Sequence, residues 1–502
     1  RARLIAEDVA VRWIELNDHF GRAPSEPIEV YLYPDITRKQ RWMGAARVEM
    51  AKPWLRQVHM VWPGWGRSIT RHELAHVFAG VDAPMPFAVP MRHGVWPDAL
   101  LIEGMAVAAE WPIRSGMDPH QWSAAMRRLR LAPPMGRLLA PTGFFGESSA
   151  RAYTLAGSLL RWLRATYGAE ALRRAYRDGD LAAATGQPLP ALLRQWGAFV
   201  DAMELRAQDL ARARARFERA GLFYRPCSLE IGRCRERARR AWRADDSATA
   251  LREWATLRSR IAAHAQARSL GLDIELSHAY ALGQDGQIAA ADAALREQLD
   301  AARKLTSLQR ARIEQMRGEL AIAAGDLRTD GAAPRAWKAA ASAPLSGGAQ
   351  RMLTVKQHLL ARGPAGQRLV RTALNDYVDS EPYGVVLRRT RRALPDDPVV
   401  GYLWARRRLL GRGAAGAAEE LRALRPRLSQ WPRLRLETDH MLAQHAARSG
   451  DCTSIDTIAT RAGLDRPAVI GWRDALKRRC DAMRKLSARP TLSWLTLLGP
   501  KT

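Results

Sequence analysis

"RHELAHVFAG", residues 71–80, sets two histidines four apart with a glutamate directly after the first. Residues 69–79 contain neither Pro nor Gly and carry Leu74, Val77 and Phe78, so the spacing predicts a buried helix. Side chains at i and i+4 share a helix face. His72 and His76 then offer ring nitrogens to one metal ion at about 2 Å, which tetrahedral Zn2+ accepts. Glu73 stands roughly 100° further round the axis, so it flanks the metal rather than competing for it. A general base must stand there to take a proton from an attacking water. The competing reading is a pair of imidazoles hydrogen-bonded inside a core helix, because an HExxH pattern also arises by chance.

A third ligand separates the two. The close HExxHxxGxxH arrangement is absent, since Ala79 and Asp82 occupy its Gly and His places. Downstream, "PDALLIEGMAVAAEW" (97–111) offers Glu103 on a second predicted helix, with Asp98 as its N-cap. His72-Glu73-x-x-His76 followed by Glu103-Gly104-x-Ala106 and Trp111 resembles the gluzincin metallopeptidases. That group includes thermolysin-like and aminopeptidase-N-like enzymes and compact peptidase MA-like domains. The resemblance covers roughly residues 1 to 205. It implies an α+β zincin-like catalytic domain, a small sheet plus helices, with one Zn2+ held by His72, His76 and Glu103. It also implies peptide-bond hydrolysis with Glu73 as general base. Glu110 matches a second acidic position of the aminopeptidase-like pattern and is expected to support the site without ligating.

Two departures from the family pattern narrow the expectation. The gap from His76 to Glu103 is 26 residues, several more than in the better-known members. "VDAPMPFAVPMRHGVWP" (81–97) fills it and is expected to form a lip over the site. No GxMEN stretch appears upstream, which favours endopeptidase over aminopeptidase action. For the oxyanion donor, "SARAYTLAGSLLRWLRATYG" (149–168) is similar to the family helix whose Tyr performs this task, and Tyr153 is the candidate. It lies four residues before Gly157, where the aminopeptidase pattern has three, a rotation of about 100°. The alternative for Tyr153 is a core aromatic. His93, on the Pro-rich loop, is a second candidate donor.

Outside this stretch the chain changes character near residue 210, and two domains are expected, 1–210 and 211–502. In the first, "PIEVYLYPD" (27–35) alternates Ile28, Val30 and Leu32 with polar or aromatic neighbours, and "QVHMVWPG" (57–64) is a second extended run. After 210 the pattern is almost wholly helical, with turn signals at spacings near 40 residues. "ALPDDPVVGYLWARRRLLGRGAAGAAEELRAL" (393–424) resembles a tetratricopeptide repeat: Pro395 and Pro398 open one helix, Gly413 ends it, and Ala417 lets the next pack closely. Stacked helix pairs of this kind leave a face for a protein partner. A plain helical bundle is the alternative.

Composition limits the rest. The 502 residues are 47% hydrophobic and 26% charged, ordinary values for a globular chain. No run approaches the length of apolar sequence needed to span a bilayer. The net charge of +28 raises a nucleic-acid or anionic membrane partner. However, 71 of the 79 basic residues are Arg spread along helices, and no nucleic-acid motif accompanies them, so nucleic acid is not the expected partner. A basic, helical nucleic-acid-binding protein and a catalytically inactive scaffold stay as rivals to the peptidase. Cys227, Cys234, Cys452 and Cys480 form no CxxC pair. Cys452 and Cys480 flank the turn-like "RAGLDRP" and could face each other on antiparallel helices; four isolated thiols are the alternative. "RARLIAEDVAVRWI" opens on Arg1 as if inside a helix, so an upstream signal or membrane anchor and an extracytoplasmic location are expected.

Overall fold

A computed structural model describes residues 2–33, 36–45, 48–61, 69–92, 94–114, 116–140, 142–217, 228–244, 246–262, 268–301, 305–343, 345, 347–375, 381–410, 416–464 and 467–487. The chain is mostly helical with a small sheet, and it divides into two compact units. The first comprises Arg1–Phe223, Ala446–Thr457 and Leu464–Thr502; the second comprises Tyr224–His445 and Ile458–Gly463.

The first unit opens with α1 (Ala2–Phe20), β1 (Glu29–Tyr33), α2 (Ile36–Met43), β2 (Met50–Lys52) and β3 (Gln57–Val61). β1 lies parallel to β3 with Glu29 opposite Gln57, and β2 lies antiparallel with Met50 opposite His59, giving the order β1-β3-β2. The strand expected from alternation is β1, and the second extended run is β3. β2 has three residues, too few for a period to register.

Beneath the sheet runs α3 (Ile69–Ala79), which has the bounds its sequence predicts. Val58 and Met60 of β3 join Leu74, Ala75, Val77 and Phe78 of α3 in one core. From α1, Trp13 and Phe20 pack their rings on Phe78 at 5.0 and 5.9 Å between centroids. Next come a two-stranded hairpin, β4 (Met91–Arg92) with β5 (Trp96–Pro97), and α4 (Ala99–Glu110). Then follow α5 (Pro119–Arg128), α6 (Met135–Leu138), α7 (Gly143–Gly146) and α8 (Ser149–Asp178). α8 is broken at Gly168, whose φ of 85° leaves the helical region. α9 (Leu181–Thr185), α10 (Leu189–Asp201) and α11 (Ala207–Phe217) complete this stretch.

The single boundary expected at residue 210 is not what the packing gives. α11 stays with the first unit because Phe217 packs edge-on against Trp122 of α5 at 5.6 Å.

The second unit runs through α12 (Ser228–Arg243), α13 (Ser247–Ala262), α14 (Arg268–Gln284), α15 (Ile288–Ala301), α16 (Ser307–Ala323) and α17 (Ala332–Ala341). It continues with α18 (Gly347–Leu360), α19 (Gly363–Asn375), α20 (Glu381–Ala393), α21 (Pro398–Leu410), α22 (Ala417–Leu424) and most of α23 (Pro432–Ser449). From α12 to α22 each helix packs on the next, as a helical-repeat array requires. In the repeat-like pair α21–α22, Asp397 caps α21 by accepting from the Val399 and Val400 N–H groups, and buried Ala417 opens α22. Gly413 lies outside the described residues.

α24 (Cys452–Ala462) and α25 (Pro467–Ser487) follow, and α25 belongs to the first unit, packed along α1. Cys452 and Cys480 form a disulfide, Cys234 is a buried free thiol, and Cys227 lies outside the described residues.

Candidate metal centre

α3 has no breaker in its length and is buried on nearly every side, so its two histidines are fixed by the core rather than by solvent. Their rings lie 5.0 Å apart at 82°, one turn from each other on a shared face. α4 is started by Asp98, whose carboxylate accepts from the Leu101 N–H at 3.1 Å and is held in turn by Arg92. Six positions into the cap-led segment, Glu103 turns toward α3. Its Oε2 lies 3.5 Å from His72 Nε2 and 3.7 Å from His76 Nε2. One ligand atom from each residue falls within 4.8 Å of the others, and no other such group occurs among the described residues.

Those separations bear on which ion fits. Tetrahedral coordination with bonds of about 2.1 Å places ligand atoms about 3.4 Å apart. Two imidazole nitrogens and one carboxylate oxygen at 3.5 and 3.7 Å are close to that geometry. His72 Nδ1 also lies 2.9 Å from Glu110 Oε2. A histidine that donates from Nδ1 to a carboxylate presents Nε2 to a metal, the usual outer support of such a ligand. The donor set therefore fits a divalent cation of the zinc kind.

Electrostatics separates the three titrating groups that α3 brings to the site. Burial disfavours the His72 imidazolium, but hydrogen bonds to Glu103 and Glu110 outweigh it and raise its pKa to about 10. Burial and the neighbouring His72 charge push His76 down to about 4. Burial, with Glu103 and Glu49 nearby, lifts Glu73 to about 7, against the opposing pull of His72 and a hydrogen bond from the Ala51 backbone. Ala51 lies in β2, so an edge strand of the sheet touches the candidate base.

Tyr153, on α8, directs its hydroxyl to the Glu103 carboxylate, and its pKa rises well above the ordinary tyrosine value through burial and that carboxylate. Its ring rests on Phe144 at 5.5 Å. The structure thus gathers His72, Glu73, His76, Glu103, Tyr153 and Glu110 around one point. His93 lies outside the described residues. Sequence reasoning missed Ala51, on a strand too short to show a pattern, and Glu49, which directly precedes that strand.

Comparison with protein-family models, with curated proteins and with solved structures finds no match to this chain.

Proposed function

We propose that this chain is a zinc-dependent peptidase of gluzincin type, its zincin-like catalytic part in the first unit. The observation that carries the reading is the convergence of His72, His76 and Glu103 with a fourth group, Glu73, left beside them and not among them. A structural metal site has no use for that free carboxylate. Zn2+ held by the three ligands would supply Lewis acidity to water and to the scissile carbonyl.

The remaining chemistry belongs to the side chains. Glu73, with a pKa near neutral, takes the proton of the attacking water and returns it to the leaving amine. The Ala51 N–H keeps that carboxylate oriented. Tyr153, beside Glu103, donates to the oxygen on which charge develops, a contribution of about 3 kcal/mol for one well-aimed donor. Glu110 fixes the ring of His72. β2 is one of the two edge strands of the sheet, and an extended polypeptide adding to it by backbone hydrogen bonds would pass Glu73. This favours a peptide or protein substrate cut within the chain.

The Cys452–Cys480 bridge supports an oxidising, extracytoplasmic compartment. The helical array of the second unit suits a protein partner. Four of its arginines join helices: Arg351 and Arg406 share Glu437, and Arg425 and Arg461 share Asp439. That use of positive charge weakens the nucleic-acid alternative.

The deciding experiment is metal analysis of the purified chain paired with cleavage of a diverse peptide library. One zinc per chain with metal-dependent cleavage is expected. One zinc without cleavage would make the chain an inactive scaffold. Steeply salt-dependent binding of DNA or RNA, with no zinc, would favour the nucleic-acid protein.

A further inference from the structure

Behind His72 lies a buried cluster of charges that reaches the far end of the chain. On α1, Arg12 Nη1 holds Glu15 Oε2 at 2.7 Å and its Nε lies 3.6 Å from Asp8 Oδ1. Arg71, the residue before His72, holds the same Glu15 oxygen at 3.4 Å. Arg479 of α25 pairs with Asp8, and both side chains are 5% exposed. Glu110, the partner of His72 Nδ1, exerts its charge on both Arg12 and Arg71. Three guanidinium groups (Arg12, Arg71 and Arg479) thus face three carboxylates (Asp8, Glu15 and Glu110), most of them out of water. A buried charge left without its partner is costly, so such a cluster holds its arrangement only when complete.

The geometry points to Arg479 as a positioning residue for the metal ligand His72, delivered by a C-terminal helix that is stapled in place for the purpose. Without Arg479, Asp8 has Arg12 as its neighbouring cation, and Arg12 is drawn away from Glu15. Glu15 then claims Arg71, and Glu110 loses the balance that sets its grip on His72 Nδ1. Three features hold α25 where this works. Val11 and Ile14 of α1 pack with Ala482 and Met483. Lys477 pairs with Asp456. Cys480, next in sequence to Arg479, is bonded to Cys452. The inference rests on the reading of His72 as a zinc ligand.

The test uses the full chain and two readouts, zinc affinity by competition with a chelator and the His72 Nδ1–H resonance of the metal-free protein. Arg479→Met should weaken zinc binding several-fold, less than the about 10- to 100-fold for loss of a ligand's direct outer partner, and should shift the resonance. Arg479→Lys should recover most of both. Arg473→Ala, on the same helix and paired with the adjacent Asp474, should change neither. A helical Arg479→Met protein with unaltered affinity and resonance overturns the inference. If that variant does not fold, Arg479→Gln, which removes the charge and keeps a polar side chain beside Asp8, is read the same way. Should the wild-type chain take up no zinc, the peptidase reading falls on that result alone, and the resonance still decides the role of Arg479.

Discussion

A Cβ built on Gly104 would lie 2.9 Å from the Cβ of Ala156 and 3.0 Å from its carbonyl carbon, so α4 and α8 run together at a separation that glycine permits. Across the same seam Gly157 receives Val107, whose Cγ1 would lie 2.2 Å from an added Cβ. This close approach is what brings Glu103, one residue before Gly104, to the hydroxyl of Tyr153, four before Gly157. Gly104→Ala should therefore spread the helices and cost about 1–3 kcal/mol, the usual range for overpacking a filled core. Gly136→Ala, where an added Cβ meets nothing within 4 Å, should cost little. Denaturant midpoints compare the two, and equal midpoints would rule out the tight seam.

Glu73 should be separable from metal binding. Glu73→Gln keeps the shape of the side chain and removes its basicity, so zinc content should stay at the wild-type level. Peptide cleavage should fall by about 10²- to 10⁴-fold, the span of general-base contributions. Cleavage that survives the substitution would assign the base elsewhere.

Glu103 and Glu110 should differ in kind. Glu103 stands within 3.7 Å of both histidine Nε2 atoms, and Glu103→Ala should abolish zinc binding. Glu110 touches His72 alone among the three proposed ligands, and Glu110→Ala should weaken zinc by about 10- to 100-fold while leaving it bound. Chelator competition measures both.

The bridge between Cys452 and Cys480 closes a separation of 28 residues. Loop-closure entropy for a ring of that size corresponds to about 3.6 kcal/mol of stabilisation. The Cys452→Ser, Cys480→Ser double variant should unfold at correspondingly lower temperature, and a reducing agent should lower the wild type toward it without affecting the variant.

In the second unit, burial alone would raise Asp397, but hydrogen bonds from His358 and the Val400 N–H, with the charges of His358 and Arg362, lower its pKa from 3.8 to about 2. A depressed carboxylate stabilises the fold above its unfolded pKa, and that share is lost as pH falls through about 2. Asp397→Asn should cost about 1 kcal/mol at neutral pH, as for a helix N-cap. The gap between variant and wild type should narrow between pH 4 and pH 2. A gap that is constant across that range would show that the charge of Asp397 contributes nothing.

Much of the first unit follows from local pattern. Ile69–Ala79 is helical as its composition requires, Asp98 caps α4 as its position before "ALLIEGM" suggests, β1 follows the alternation of its apolar residues, and β3 is the second extended run. Glu110 lies two turns after Glu103 on the same helix, so its nearness to the site was also legible. β2 was not: three residues carry no period, yet they bring Ala51 to Glu73. The domain boundary was misplaced because a drop in strand content near residue 210 says nothing about which core Phe217 or α25 will join.

By itself the sequence determined the pair His72 and His76 on one helix face, with Glu73 turned aside from them, because the helical repeat fixes such relations within one turn. Only the tertiary structure decided that Glu103, 26 residues beyond His76, meets that pair, and that Tyr153 and Glu110 close around it. The same holds for Arg479, which reaches Asp8 across 471 positions of chain. Periodicity constrains neighbours a few residues apart. Which helices then approach one another depends on glycines at a seam, on the balance of buried charge and on a disulfide, and these act only once the chain has packed.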